Sequence, residues 1–281
     1  MTESTYAQDT EFLAAHTELV ELEGPAEARL AVAPRFAGRV MTSTIDGPGG
    51  LRFGWLNRAF IASGADDPSF NNYGGEDRFW LGPEAGQFGL WFAEGEPFDM
   101  AHWTTPAGFD KGGFDVTSRG PHSLAMTTHF DVSNASGTTF ACGVARTVSA
   151  LDYDAAAELL GATVPAGVTM VGFESSNTLA NVGERAWTAG GGLLSVWTLG
   201  QFKPLPRGKV IVPYWPGEDA ELGPKATTDY CGPLHADRCE LRDDHVLFSC
   251  DGRYRSKIGI SPLRARRVAG SYDPDGRALT V

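Results

Sequence analysis

An all-β fold is predicted from three observations. The chain has 281 residues, with 35 Gly and 17 Pro. Without collagen periodicity, that density marks many turns and therefore many short strands. Short apolar stretches separated by Gly, Pro, Asn and Asp clusters recur along the whole chain. Only two stretches carry helical spacing, and no repeat of about 20–50 residues is present. Together these features predict a large antiparallel sandwich in one domain spanning residues 1–281, with residues 1–20 as an N-terminal helical segment.

The elements follow in order. Residues 6–19 predict a short helix, because Phe12, Leu13, His16 and Leu19 fall at helical spacing and Thr10 can cap. Residues 29–33 and 39–45 predict strands split by Pro34 and Gly38, and residues 87–92 predict a third. Further strands are expected over 123–133, 138–151, 168–176, 193–199 and 209–213. A last set covers 240–241, 246–250, 254–260 and 267–272, and the chain closes within an apparent strand at 278–281. Residues 155–160 offer the second helical turn. In the strand over 138–151, Phe140, Cys142, Val144, Arg146 and Val148 share one face by two-residue periodicity. Arg146 therefore sits among apolar neighbours and needs a carboxylate partner or a hydroxylated or anionic ligand. Glu76, Glu84 and Glu174 are the partners the sequence offers.

A net charge of −12 argues against nucleic acid or an anionic membrane as partner, since phosphate binding needs clustered Lys and Arg. The basic run Arg264-Ala-Arg-Arg267 is short and reads as a solvated strand edge. No apolar run approaches the ~18 residues needed to span a bilayer. Residues 1–21 are polar and acidic, unlike a signal peptide, which leads to a cytoplasmic expectation. Cys142, Cys231, Cys239 and Cys250 form no Cys-x-x-Cys, and the histidines occur singly. Buried thiols, no metal site and no cofactor are expected, with a Cys231–Cys239 bridge possible in geometry but unneeded in a reducing compartment.

The stretch Asn72-Tyr-Gly-Gly-Glu-Asp-Arg-Phe-Trp-Leu-Gly-Pro-Glu84 packs Glu76, Asp77, Arg78, Trp80 and Glu84 between glycine turns. Carboxylates and a guanidinium suit sugar hydroxyls, and an indole face suits the C–H face of a sugar ring. A salt-bridged turn capping a sheet, with Trp80 in the core, fits the same residues. Elsewhere, His102 beside Trp103 offers a general acid or base next to an aromatic platform. Glu174 interrupts an apolar strand, where burial would raise its pKa, and Asn177 follows it. Arg253, Arg255 and Lys257 alternate onto one face, either as a solvated stripe or as an anchor for an anionic sugar substituent. No dinucleotide, P-loop or nucleophile-elbow signature is present.

Gly38-Arg-Val-Met-Thr-Ser-Thr44, Tyr73-Gly-Gly-Glu-Asp-Arg-Phe-Trp-Leu-Gly-Pro-Glu84, Phe173-Glu-Ser-Ser-Asn177, Gly192-Leu-Leu-Ser-Val-Trp197 and Arg253-Tyr-Arg-Ser-Lys-Ile-Gly259 together resemble the bacterial family DUF6786, over nearly the whole chain. That family is similar to the galactose mutarotase-like group. The resemblance implies a β-supersandwich, two or more large antiparallel sheets with a sugar cleft on one concave face. It does not transfer one chemistry, because a fold does not fix function. It also implies a further C-terminal segment, absent here, and in mutarotases a late Glu of comparable position is the catalytic base. Without it, either the sequence is truncated, or Glu174 or Glu76 acts, or the protein only binds.

The expected function is mutarotase- or epimerase-like acid–base chemistry on a small carbohydrate, with His102 as acid and Glu174 or Glu76 as base. Arg78, Trp80, Glu84, Trp103, Arg146, Asn177, Arg255 and Lys257 would hold the sugar. A non-catalytic sugar-binding protein, or a glycoside lyase or hydrolase using Glu76 and Glu174, are the alternatives. The oligomeric state is not encoded in any of these features.

Overall fold

In the computed structural model, which describes residues 4–281, the chain begins with helix α1 (Tyr6–Ala14). Its N-cap is Thr5, not Thr10. The Thr5 hydroxyl accepts from the Gln8 amide while the Gln8 side chain accepts from the Thr5 amide at 2.9 Å. This is a capping box, and it satisfies two otherwise orphaned donors. Thr10 instead donates to the Ala7 carbonyl at 3.1 Å. The helix stops well short of residue 19, because the alternating Val20-Glu-Leu-Glu23 starts a strand that the sequence reading missed.

Strands β1 (Val20–Glu23), β2 (Arg29–Ala33) and β3 (Arg39–Thr44) form an antiparallel sheet in that order. Val20 and Leu22 point into the core and Glu21 and Glu23 point out, as period two requires. Every residue of β3 is buried, including Arg39. Helix α2 (Arg58–Ser63) follows, capped by the Asn57 side chain and ended by Gly64 at φ 61°. Then come β4 (Phe79–Gly82), the short α3 (Ala107–Asp110), β5 (Asp115–Arg119), β6 (Ser123–Ser133), β7 (Thr139–Ala150), α4 (Tyr153–Leu160), β8 (Phe173–Asn181) and β9 (Ser195–Thr198). Strands β5 to β8 form a sequential antiparallel sheet, and β4 pairs with β9.

Residues 87–92 form turns rather than the expected strand. Gly86 takes φ 89° and the Gly89 amide donates back to the Gly86 carbonyl at 2.8 Å. The apolar signal there was real but reported burial, since Leu90, Trp91 and Phe92 all join the core. The β7 face is as expected: Phe140, Cys142, Val144, Arg146 and Val148 are all buried.

These elements make one compact unit ending at Phe202, and a second runs from Lys203 to Val281. The second holds β10 (Lys209–Pro213), the short α5 (Asp219–Leu222), β11 (Cys239–Leu241), β12 (His245–Ser249), β13 (Gly270–Asp273) and β14 (Ala278–Thr280). Its single antiparallel sheet has the order β11-β12-β10-β13-β14. Residues 254–260 are not a strand, and only an isolated bridge joins Thr227 to Gly259. The expected stripe of Arg253, Arg255 and Lys257 on one face therefore does not form. Arg253 lies 3.8 Å from Asp251, Arg255 is exposed, and the Lys257 ammonium sits 5.1 Å from the Tyr230 ring centre. All four cysteines are free thiols.

Among the described residues the fold is thus all-β, with 14 strands in four antiparallel sheets. No helix in the described residues is long and apolar enough to cross a membrane.

Candidate functional site

The stretch from Asn72 to Glu84 is placed by two glycines. Gly74 has φ 89° and Gly75 φ 107°. A Cβ at Gly74 would lie 2.1 Å from the Trp55 carbonyl oxygen, so only glycine lets the chain pass there. Beyond this crossing, Glu76, Asp77, Arg78 and Trp80 enter three different environments.

Glu76 turns into β3. Its carboxylate accepts from the Ser43 amide at 2.7 Å and from the Ser43 hydroxyl at 3.0 and 2.8 Å. Burial pushes its pKa up from 4.5 to about 7, against the pull of the Ser43 and Gly54 donors. The folded state therefore keeps a proton that the unfolded chain releases between those values. Stability should fall as pH rises from about 4.5 to about 7, by up to about 1.4 kcal/mol per pH unit, and this group should add no slope above that window. Glu76→Gln should remove the slope. Urea midpoints at several pH values for both proteins measure it, and a constant difference between them would contradict the assignment.

Asp77 is the carboxylate that Arg146 needs, in place of the expected Glu76, Glu84 or Glu174. The Arg146 guanidinium also donates to the Gly38 carbonyl at 2.9 Å and to Asn177 Oδ1 at 2.7 Å. Ser175 Oγ donates to the other Asp77 oxygen at 3.2 Å. The β7–β8 register sets this up, because it places Asn177 opposite Arg146. The result is a closed polar network in which every Arg146 nitrogen has an acceptor.

Arg78 is the opposite case. Its guanidinium carbon lies 4.2 Å from the Trp80 ring centre and 5.0 Å from that of Phe70. The residue is 2% exposed, yet Nε and both terminal nitrogens have no hydrogen-bond partner. Trp80 Nε1 is also unpartnered. Burial and repulsion from Arg39 hold the Arg78 pKa down at about 8, and Asp110 only partly opposes them. Arg39 itself donates to the carbonyls of Asp110 at 2.7 Å and Gly74 at 3.3 Å. Asp110 Oδ2 accepts from the Asn71 amide at 2.9 Å and side chain at 2.7 Å.

An aromatic wall continues from Arg78. Trp80 stacks on Trp197 with ring centres 5.1 Å apart, as the β4–β9 register dictates. Phe70 stacks on Trp80 at 5.9 Å and meets Trp103 edge-on at 5.9 Å. Trp103 Nε1 donates to Glu84 Oε1 at 2.9 Å. Phe70, Trp103, Trp197 and Glu84 remain partly exposed. The fold thus gathers Arg78, Trp80, Glu84 and Trp103 from the sequence-predicted residues, and adds Phe70 and Trp197.

The proposed acid and bases differ in their surroundings. His102 is partly exposed and engaged by Asp99 at 2.6 Å and Glu96 at 3.2 Å, which raise its pKa. Glu174 is exposed, not buried mid-strand, because β8 carries its inward residues at Phe173, Ser175 and Asn177. No hydrogen bond or ion pair among the described residues links His102, Glu174 and Glu76. Arg255 and Lys257 belong to the second unit. Among the described residues no group of three or more His, Cys, Asp or Glu is placed to hold a metal ion.

Sequence reasoning missed Phe70, Arg39, Asp110 and Trp197 as members of this neighbourhood. Arg39 carried a usable signal, since it directly precedes the apolar Val40-Met41 pair after the turn at Gly38, as a charge in need of a partner if that strand is buried. Phe70 carried none.

Against known proteins, the profile of a family of unknown function (DUF6786) matches residues 4–281. No curated protein and no solved structure matches the chain.

Proposed function

The chain belongs to the DUF6786 family, and we propose that it is a carbohydrate-binding protein whose ligand lies on the Phe70–Trp103–Trp197 wall and hydrogen-bonds to Arg78. The observation that carries this reading is the buried Arg78 guanidinium, whose three nitrogens all lack acceptors. Buried donors without acceptors are costly and rare, and a fork of N–H groups suits ligand oxygens. Adjacent indole and phenyl faces offer apolar area to the C–H face of a sugar ring, and Glu84 supplies an acceptor at the rim. Phe70 covers the guanidinium, so ligand entry displaces its ring.

Binding is favoured over acid–base chemistry because His102 is engaged by Asp99 and Glu96, Glu174 is exposed, and neither pairs with Glu76. A mutarotase- or epimerase-type activity is the second reading. One observation favours it: Glu76, held at about 7, has the pKa of a proton-transfer group at neutral pH.

Calorimetric titration with a panel of hexoses and hexuronates tests the first reading. Saturable binding by wild type, weakened about 10-fold or more by Trp103→Ala, is the expected result, a loss of about 1.4 kcal/mol. Anomer exchange followed by NMR separates the two readings. Binding without acceleration supports the first, whereas acceleration removed by Glu76→Gln supports the second. No saturable binding to any panel member would sink both.

A further inference from the structure

We propose that the ligand is an acidic sugar, and that its carboxylate is received by the guanidinium of Arg78. This rests on the carbohydrate reading and narrows it to a chemical class. The argument is one of charge balance. Two buried guanidinium groups, Arg39 and Arg78, share the field of one buried carboxylate, Asp110. Asp110 lies 3.9 Å from an Arg39 nitrogen and its Oδ2 takes both Asn71 donors, while its buried Oδ1 makes no hydrogen bond to Arg78 or to any other described residue. Arg39 in turn is tied to backbone carbonyls. Over Arg39, Arg78 and Asp110 one positive charge is left unbalanced, and Arg78 has neither a hydrogen-bond acceptor nor an ion pair among the described residues.

A buried charge of that kind is usually paired or lost by proton transfer. Even with its pKa held down at about 8, Arg78 keeps its proton at neutral pH, so pairing with an anion is the route open to it. Its contacts with Trp80 and Phe70 run from the guanidinium carbon to the ring centres, and none of its N–H groups is spent on an acceptor among the described residues. That fork matches the two oxygens of a carboxylate. The unpartnered Trp80 Nε1 adds a further donor for a neighbouring ligand oxygen. A neutral hexose would supply acceptors but would leave the charge unbalanced. The network at Asp77 and Arg146 shows the contrast in the same unit, where a buried guanidinium has its carboxylate from the chain itself.

The test compares D-glucuronate and D-galacturonate with D-glucose and D-galactose by calorimetry, with acetate as the anion without a ring. Wild type should bind at least one hexuronate about 10-fold or more tightly than its parent hexose. Arg78→Gln should abolish that preference, and Arg78→Lys, which keeps the charge without the fork, should retain part of it. Near-UV circular dichroism establishes that each variant is folded. Should Arg78→Gln not fold, the lysine variant carries the comparison: a preference equal to that of wild type overturns the fork assignment. Equal affinity for hexose and hexuronate overturns the acidic-sugar inference and leaves the carbohydrate reading standing. A hexuronate preference that survives in Arg78→Gln overturns the assignment to Arg78. Acetate binding as tightly as hexuronate keeps the anion site and overturns the sugar reading. Binding of none of the five overturns both.

Discussion

Replacing Arg78 by methionine is expected to raise the melting temperature of the unliganded protein while removing its ligand binding. Arg78 is buried without one hydrogen-bond acceptor. The effective cost of holding an ion in such a place is several kcal/mol. Two cation–π contacts recover part of it, at about 0.5–2 kcal/mol each. Methionine keeps an unbranched apolar stem against Phe70 and Trp80 and needs no acceptor. The net gain should be about 1–3 kcal/mol, and each kcal/mol corresponds to roughly 2–4 °C in a domain of this size. Differential scanning calorimetry reads the shift. A variant less stable than wild type by about 2 kcal/mol or more would mean that the guanidinium is structurally satisfied. Gain of stability with loss of binding is the pattern expected of a residue kept for function.

Replacing Asp77 by alanine should have the opposite sign and a larger size. Asp77 neutralises Arg146, which is completely buried in the β7 face. Removing one partner of a buried pair leaves the other charge stranded, at about 3–5 kcal/mol. The bonds from Arg146 to Gly38 and Asn177 remain, so the local geometry has a reason to persist. Urea unfolding measures the loss. The double variant Asp77→Ala/Arg146→Met should recover much of it, because the stranded charge is gone. A loss below about 1 kcal/mol for Asp77→Ala would show that the pair contributes little. Two arginines of similar burial thus differ in their partners, a carboxylate and two further acceptors for Arg146 against aromatic rings alone for Arg78, and the two substitutions read out that difference.

What the sequence made legible follows the range of the interaction. Period-two alternation located β6 to the residue and the buried face of β7, Arg146 included. Those are local patterns that burial enforces. The same pattern misled at residues 254–260, where Arg255 and Lys257 alternate with Tyr254, Ile258 and Ile260 as in a strand, yet the segment pairs only through an isolated bridge at Gly259. It misled again at residues 87–92, where burial was right and conformation wrong. Pairing across long separations was not legible. Nothing near Trp80 announces Trp197 as its stacking partner, and nothing near Arg146 chooses Asp77 over Glu76 one residue away. The choice is made where the chain crosses at Gly74 and Gly75, which turns Glu76 into β3 and Asp77 toward β7. Composition identified the Asn72–Glu84 stretch as chemically loaded. Which of its side chains is left without a partner is a property of packing, and Phe70, the residue that covers Arg78, belongs to no motif.

The most direct measurement is a crystal structure of the protein soaked with the hexuronate that binds best. The account predicts that the sugar ring lies against Trp103 and Trp197, that the Phe70 ring has moved aside, and that both carboxylate oxygens sit within hydrogen-bond distance of the Arg78 guanidinium. A sugar bound elsewhere, with Arg78 still against Phe70 and Trp80 and still without an acceptor, would contradict it.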